Sequence, residues 1–448
     1  MVLVQSLKLS LPSSSSSLTN SFLFEPNSLS LALMHSDSSI SLFPSLSFPS
    51  LSSLPNKPQT LVPSPSSSSS FIILQQNTPD NPTVLFLVAG PYKGGSQILF
   101  RFFILQDHVF TKVKVVCTQE GLEFDPKLGV LMDANHGVSI KIVGSVNFFV
   151  MYSVSSRKVW VFALKRIGDG DRDEVKLMRC AVIDCCLPVW SISVSFGFLI
   201  LGEDNGVRVF NLRQLVKGNV KKIKISNSNG NLDMVNGKLE SKGFRLPNGM
   251  VGSDHHSIST SCNGFLDGKI DKHSISVKQK FVRCRQDSGE GGACFVAFES
   301  KEVEGLKLTV KAVSIQALSS KKFMILDSNG DLHILCLSNP AGGSNIRFHM
   351  MHLPHSMKVQ KLAVLPDISS RMQTFWISDG LHSVHMMMAS EVDVAVNQNH
   401  GDDNQENQME TSVIQAIFAG EKIHDLVPVS ANAILILGQA YIFAYAMP

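Results

Sequence analysis

The chain of 448 residues repeats one local pattern of apolar and polar positions. Three or four apolar residues precede a small or acidic turn, and alternating apolar residues that end in an aromatic residue or leucine follow it. Alternation with a period of two is typical of β-strands, and Asn-Gly or Asp-Gly turns supply the positive φ angles that tight hairpins require. Each unit is therefore predicted to be a β-hairpin. The seven units occupy residues 31–43, 84–102, 148–162, 198–210, 323–335, 374–386 and 433–445.

The spacing of these hairpins predicts the fold class. Neighbouring units lie about 50 to 65 residues apart, except across one long gap, and short strands such as 189–194 and 359–364 precede several of them. This spacing fits four-stranded propeller blades, and no long helical periodicity occurs. We expect one all-β domain over residues 1–448, a β-propeller of about seven four-stranded blades. Residues 2–11 alternate in part, and we expect this N-terminal strand to complete the last blade and close the ring.

Polar stretches interrupt the strand pattern. Residues 216–306 are rich in Ser, Asn, Gly, Lys and Asp, and we expect them to form a long insertion, mostly disordered, in which residues 293–298 have the pattern of a strand. Residues 391–412 are expected to form a polar loop, and the serine run 66–70 a flexible connector. Long loops can carry partner contacts, but a tolerated insertion without function explains each of them equally well.

The amino-acid composition restricts the classes of protein to which the chain can belong. Hydrophobic residues make up 44% of the chain, which allows a large core, and the net charge of +3 does not favour extended nucleic-acid binding. The eight cysteines form no CxxC pair, which is typical of reduced thiols in the nucleus or cytoplasm. No apolar run is long enough for a transmembrane helix, so we expect a soluble protein without membrane contacts. The serine-rich N-terminus leaves organelle import as the less favoured alternative, because the first arginine is Arg101.

None of the candidate catalytic or metal-binding motifs has the residues or the side-chain arrangement that its chemistry requires. Residues 90–96 resemble a phosphate loop, but Ser96 stands where that loop needs lysine. Residues 349–357 combine histidine with methionine, yet strand alternation would send Met350 and Met351 to opposite faces. We therefore predict a non-enzymatic protein with no catalytic residue, no metal ligand and no cofactor.

The hairpin unit resembles the WD-repeat family of β-propellers, in which a turn aspartate precedes an apolar strand that ends in Trp-Asp. Asp204 and Asp37 lie near the position of the turn aspartate, whereas Phe210-Asn211 replaces the Trp-Asp dipeptide. The resemblance covers most of the chain and is specific for the fold. It implies a non-catalytic scaffold that binds other proteins, whose identity the sequence does not give.

A second resemblance concerns residues 198–213 alone. This segment is similar to the box through which some WD-repeat proteins dock onto the adaptor of cullin-4 ubiquitin ligases. The resemblance implies that Arg213 would contact the adaptor and that the protein is, as an alternative, a substrate receptor of such a ligase. Asn211 replaces an acidic residue of the box, and Leu201 stands where a small residue is usual. The matching residues are Asp204, Val207, Val209, Phe210, Leu212 and Arg213.

Four lysines open the long insertion and form a small basic cluster: Lys217, Lys221, Lys222 and Lys224. Such a cluster is typical of a nuclear import signal or a phosphate contact, but a solvated charged loop is the favoured interpretation. It leaves a further alternative, a nucleic-acid-associated subunit of a nuclear complex. With the cysteine usage, it favours a nuclear or cytoplasmic location.

Overall fold

The strands of the protein form seven sheets within the part of the chain that the structure describes. The structure is a computed structural model. It describes residues 5–11, 18–46, 58–75, 82–134, 137–167, 174–216, 280–284, 293–298, 309–338, 346–366, 372–391 and 409–447. These residues belong to one compact unit, which comprises residues 1–218 and 279–448, and the remaining unit of residues 219–278 lies outside them.

The described residues up to 216 form nineteen strands and two short helical segments. The 3-10 turn spans Lys93–Gly95, and helix α1 spans Leu212–Val216. The strands are β1 (Gln5–Ser10), β2 (Thr19–Glu25), β3 (Ser30–His35), β4 (Ile40–Phe43), β5 (Thr60–Val62), β6 (Ser68–Leu74), β7 (Thr83–Tyr92), β8 (Gln97–Gln106), β9 (Val109–Lys112), β10 (Lys114–Cys117), β11 (Leu122–Asp125), β12 (Gly129–Asp133), β13 (Ile140–Gly144), β14 (Phe148–Ser153), β15 (Lys158–Ile167), β16 (Glu174–Cys185), β17 (Ser191–Ser195), β18 (Phe198–Glu203) and β19 (Gly206–Asn211).

The second half of the described chain is made of strands and their connections. Its strands are β20 (Lys280–Cys284), β21 (Ala293–Ala297), β22 (Ala312–Ala317), β23 (Lys322–Asp327), β24 (Leu332–Ser338), β25 (Arg347–Leu353), β26 (Lys361–Val364), β27 (Met372–Ser378), β28 (Ser383–Glu391), β29 (Met409–Phe418), β30 (Asp425–Ser430), β31 (Ala433–Leu437) and β32 (Tyr441–Ala446).

Each sheet is one blade of a seven-bladed β-propeller, as the sequence predicts. In blades 1, 4, 5 and 6 the strand orders are β2-β3-β4-β5, β17-β18-β19-β21, β22-β23-β24-β25 and β26-β27-β28-β29. Blade 7 has the order β1-β32-β31-β30, so the two ends of the chain meet in one sheet. The pairing is antiparallel and runs from Gln5 opposite Ala446 to Ser10 opposite Tyr441. The expected closure of the ring by the N-terminal strand is thus confirmed.

Blades 2 and 3 carry more strands than the four that the repeat predicts. Their orders are β11-β12-β8-β7-β6, with β9 also on β8, and β10-β16-β15-β14-β13, with β20 also on β16. The additional strands lie at the outer edges, where the long strands β8 and β16 would otherwise have unpaired backbone groups. The extra strands follow from the length of β8 and β16, because each is long enough to pair with two shorter strands on one edge.

The core lies between the blades. In β14, Phe149 and Met151 pack into the cluster shared with blade 2, whereas Val150 and Tyr152 pack into the cluster shared with blade 4. Phe149 also stacks on Phe162, with ring centroids 4.6 Å apart. Both faces of a blade are therefore apolar and buried, as is typical of a sheet packed between two neighbours.

Hydrogen bonds from side chains link the innermost strands of neighbouring blades. The hydroxyls of Ser68 and Ser70 on β6 accept hydrogen bonds from the backbone N–H groups of Ile142 and Gly144 on β13, at 2.9 and 2.8 Å. The expectation of a flexible connector at residues 66–70 is therefore wrong for the part of that run that lies in β6. The serines form a strand because these contacts satisfy polar groups that a hydrophobic strand would leave unpaired.

The predicted insertion and polar loop lie largely outside the described residues, which stop at residues 216 and 391 and resume at residues 280 and 409. Within the predicted insertion 216–306, a strand is present at Ala293–Ala297, where the sequence pattern indicates one. β29 begins at Met409, inside the predicted loop 391–412. Both strands complete blades as their outermost members.

Closure of the ring depends on the apolar side chain that β1 buries. Leu9 is fully buried among side chains of blades 1 and 7. We expect Leu9→Ala to lower the free energy of unfolding by about 2–5 kcal/mol, because it removes buried methyl groups and leaves a cavity. Urea denaturation measures the change, and Ser10→Ala at the exposed neighbouring position serves as the control. Equal effects of the two substitutions would contradict closure by β1.

Candidate interaction site

The turn of the blade 4 hairpin holds the aspartate that the sequence analysis selected. Asp204 follows β18, and its Oδ1 accepts a hydrogen bond from the indole N–H of Trp190 at 2.8 Å. Asn205 takes the left-handed conformation that the turn needs, with φ of 60°. The amine of Lys311 lies 3.9 Å from the centroid of the Trp190 ring. Asp204 also pairs with Lys311 in an isolated antiparallel β-bridge. Its contacts with Trp190 and Lys311 therefore link the connections before blades 4 and 5, which is a structural role within the ring.

Two further residues of the predicted docking box, Phe210 and Arg213, lie away from this turn, near the end of β19 and on α1. Phe210 is fully buried in the interface with blade 3. Arg213 is exposed on α1. The first turn of α1 is capped by Asn211, whose Oδ1 accepts a hydrogen bond from the backbone N–H of Gln214 at 3.3 Å. The residue that replaces the acid of the box thus has a local function of its own. The structure does not bring Asp204, Phe210 and Arg213 together, and adaptor docking stays a prediction.

The four lysines of the basic cluster lie outside the described residues. The described chain ends at Val216, and Lys217 follows it directly. Nuclear import and phosphate binding by Lys217, Lys221, Lys222 and Lys224 stay predictions.

Three hairpins share a polar pair that the sequence analysis missed. The last residue of the second strand of the blade contacts a residue diagonally across the turn, and most of these side chains are buried. The pairs are His35–Ser41 in blade 1 at 2.8 Å, Glu203–Arg208 in blade 4 at 2.7 and 2.9 Å, and Asp327–His333 in blade 5 at 2.9 Å. The signal in the sequence is a polar residue directly before the turn and another five or six positions later. Because buried polar groups need partners, a shift in the register of these hairpins would separate the pairs and be unfavourable.

The environment of Asp327 lowers its pKa. Burial alone would raise the pKa of this carboxyl, but a hydrogen bond from His333 and backbone N–H groups of Asp331 and Asn329 outweigh burial. Both backbone hydrogen bonds measure 2.9 Å. The His333 ring in turn stacks on Phe298, with centroids 4.3 Å apart. The charged carboxylate therefore orders the turn of blade 5 and stabilises the folded state.

Among the described residues, the outermost strand of blade 6 has one edge that no other strand covers. β29 has ten residues, and every named pairing of it in the described part of the chain is with β28. The side chains of Val413, Ile414 and Phe418 are 55%, 45% and 75% exposed. Ile414 is the extra residue of a bulge, because Val413 lies opposite Met387 and Gln415 lies opposite Met386. This edge is the candidate interaction site.

β29 differs in length from the other outermost strands of the described sheets. Those strands have three to seven residues: β5, β11, β10, β20, β21, β25 and β1. The twelve-residue β16 is covered on its N-terminal half by β10 and on its C-terminal half by β20. A long, apolar and uncovered edge is an open template for another strand, and proteins usually shield such edges.

The polar side chains of the described residues offer little that binds metals or attacks substrates. No group of three or more His, Cys, Asp or Glu side chains in this part of the chain is arranged to hold a metal ion. Met350 packs between blades 4 and 5 and Met351 between blades 5 and 6, so the predicted divergence of the two side chains is confirmed. Burial raises the pKa of the Cys117 and Cys180 thiols to about 11, which disfavours their nucleophilic thiolate forms at neutral pH.

Helix α1 has five residues, and the described part of the chain holds no helix with the length and apolar character needed to cross a lipid bilayer.

Comparisons with known proteins concern the fold. No protein-family model matches the chain, and no curated protein sequence is similar to it. A similar solved structure is the Cps50 (Swd1) β-propeller domain of Myceliophteria thermophila, with 8% identity, full coverage of both chains and a TM-score of 0.47. The RRP9 WD40 repeats share 6% identity over 99% of this chain and 97% of that chain, with a TM-score of 0.42. The SCAP WD40 domain of fission yeast shares 8% identity over 96% and 84%, with a TM-score of 0.37. The fold expected from the WD-repeat resemblance, a seven-bladed β-propeller, is confirmed by the seven sheets and the closure described above.

The pKa of Asp327 gives the stability of the protein a defined pH dependence. Since the folded state lowers this pKa, the carboxylate contributes stability above its usual pKa of 3.8, and the contribution disappears as pH falls through the lowered value. We expect Asp327→Asn to lower the free energy of unfolding by about 1–3 kcal/mol at pH 7 and by less at pH 3, because pH 3 lies below the usual pKa of 3.8. Urea denaturation at both pH values measures the difference.

Asp331→Asn is the control for this substitution, since Asp331 lies in the same turn and contributes its backbone N–H. A loss of stability in Asp327→Asn that is the same at both pH values would contradict the role of the charged carboxylate.

Proposed function

We propose that the protein is a non-catalytic scaffold that binds other proteins, and that the outer edge of β29 is a docking site for an extended segment of a partner. The observation that carries the proposal is the ten-residue edge with the exposed side chains of Val413, Ile414 and Phe418. Exposed apolar side chains grouped on one element favour a protein interface over bulk solvent.

The chemistry of this edge determines the kind of partner. An edge strand offers alternating backbone N–H and C=O groups, which another strand satisfies by adding to the sheet. Glu410 is the single charged residue of β29, so the edge lacks the lysines that usually prevent strand addition. The bulge at Ile414 divides the edge into two straight segments, Met409–Val413 and Gln415–Phe418. The partner is therefore an extended polypeptide with apolar side chains, held mainly by backbone hydrogen bonds and apolar contacts.

A substitution that places a charge on the edge tests this function. We expect Val413→Lys to reduce the binding of partner proteins about tenfold or more, because an ammonium group on the edge opposes strand addition. The folded state should be retained, since the Val413 side chain is 55% exposed. Proteins recovered from a cell extract by wild type and variant are compared by quantitative mass spectrometry. Each protein that depends on Val413 is then purified, and its dissociation constant is measured.

Leu61→Lys is the matched control, because Leu61 is 61% exposed on the three-residue outer strand of blade 1. Equal recovery of all proteins by the wild type and Val413→Lys would contradict the proposal. Concentration-dependent self-association of the wild type that Val413→Lys abolishes would also contradict it, since the occupant would then be a second copy of the chain.

Arg213 supports a narrower form of the scaffold function, a substrate receptor of a cullin-4-type ubiquitin ligase in the nucleus or cytoplasm. The observation in its favour is the exposed position of Arg213 on α1, directly after the buried hairpin. We expect Arg213→Ala to lower the recovery of the ligase adaptor in a pull-down about tenfold, whereas Gln214→Ala at the exposed neighbouring position leaves it unchanged. Absence of the adaptor from the wild-type sample would dispose of this receptor function and leave the proposal for β29 intact.

A further inference from the structure

The outer edge of blade 2 divides into two branches. The first residues of β8, Gln97–Phe100, pair with β12, whereas its last residues, Phe103–Gln106, pair with β9. Beyond β9 the chain continues as β10 on the edge of blade 3, and the hairpin of β11 and β12 then brings it back to blade 2. Arg101 and Phe102 lie at the division, where the two branches separate.

An open cleft of about 370 Å³ lies between the branches. Residues 101–102 of β8 line it on one side, residues 112–115 on the second, and residues of the β11–β12 hairpin on the third. The volume is within the range of small-molecule sites, which is about 300–1,000 Å³. The fork in the sheet is thus wide enough to hold an organic ligand rather than a single ion.

The charged residues that line this cleft are all basic. They are Arg101, Lys112 and Lys114, and no Asp or Glu is among the lining residues. Lys114 forms an ion pair with Glu174 at 2.7 Å, whereas the Lys112 amine donates to the backbone carbonyl of Lys127 at 3.0 Å. The carbonyl of Lys127 is uncharged, so this hydrogen bond does not neutralise the positive charge of Lys112.

Arg101 is a buried cation whose named partners are uncharged. Its side chain is 7% exposed, and its terminal nitrogens donate to the carbonyls of Pro63 and Pro65 and to the hydroxyl of Ser66, at 2.8 to 2.9 Å. Its Nε is buried without a hydrogen-bond partner in the described structure. A buried charge without a counter-ion is unfavourable, so an anion bound beside Arg101 would stabilise this region.

Apolar side chains form the rest of the lining. They include Phe124 and Leu128, which are partly exposed, and Phe102, which is buried. Phe124 and Leu128 therefore form a partly exposed apolar surface next to the basic groups. A purely ionic ligand would leave the apolar surface exposed to water, and a purely apolar ligand would leave the basic groups without an anionic partner. The two kinds of surface favour one ligand that satisfies both.

We propose that the cleft at the fork of blade 2 binds a small amphipathic anion, with a carboxylate or phosphate head beside Lys112 and Arg101 and an apolar body against Phe124 and Leu128. This site is independent of the β29 edge, because it belongs to another blade and takes another class of ligand. The head is recognised by charge-assisted hydrogen bonds, and the body by burial of apolar surface.

Binding of simple probes to the full chain tests the proposal. Octanoate and octyl phosphate carry both features, whereas acetate and inorganic phosphate lack the apolar body and 1-octanol lacks the charge. Isothermal titration calorimetry measures each dissociation constant. We expect one of the two amphipathic probes to bind at least about tenfold more tightly than the three simple ones, and the tighter of the two identifies the head group.

Lys112→Gln should weaken binding of the tighter probe about tenfold, because it removes one charge-assisted contact. Lys127→Gln is the matched control, since Lys127 is an exposed neighbouring lysine that does not line the cleft. Thermal melting of both variants should match the wild type, because Lys112 is exposed as well. Equal binding of all five probes, or equal weakening by both substitutions, would overturn the proposal.

Discussion

Coverage of each blade by two neighbours is the constraint on which this fold depends. Along β14 successive side chains alternate between two clusters, Phe149 and Met151 towards blade 2 and Val150 and Tyr152 towards blade 4. A sheet of this kind has no face that tolerates water, so a row of such blades is stable only when its ends meet. The pairing of β1 with β32 joins those ends, and Leu9 contributes to the apolar contact between the last blade and the first.

The sequence predicted this ring because its hairpins depend on local signals. The apolar period of two and the turn residues of segments such as 198–210 are visible without tertiary information. The additional strands were not predictable in the same way, because β10 has four residues and β20 has five, and both form on an existing edge. The serines of β6 were misinterpreted for a related reason, since their strand depends on hydrogen bonds to the neighbouring blade.

The docking box shows how a sequence match can combine structural and functional positions. Asp204 binds the indole of Trp190 and Phe210 fills the core, so the fold explains both without any adaptor. A match at such positions indicates a well-formed hairpin, whereas Arg213 lies exposed on α1, beyond the hairpin. Structural and candidate functional positions of the box differ in solvent exposure, which cannot be read from the sequence. The edge of β29 escaped sequence analysis for the same reason, because an exposed strand and a covered one have similar patterns.

Closing the ring removes the exposed faces of the blades but leaves one outer edge on each blade. In blade 3 the long edge of β16 is covered by β10 and β20, and in blade 2 β8 is covered by β9 and β12. In blade 2 the two covering strands diverge, and the basic and apolar cleft lies between them. In blade 6, β29 is ten residues long and pairs with β28 alone among the described strands. Both surfaces therefore lie beside strands longer than the repeat requires, whose edges are either covered by additional strands or, in β29, open to the partner segment proposed above.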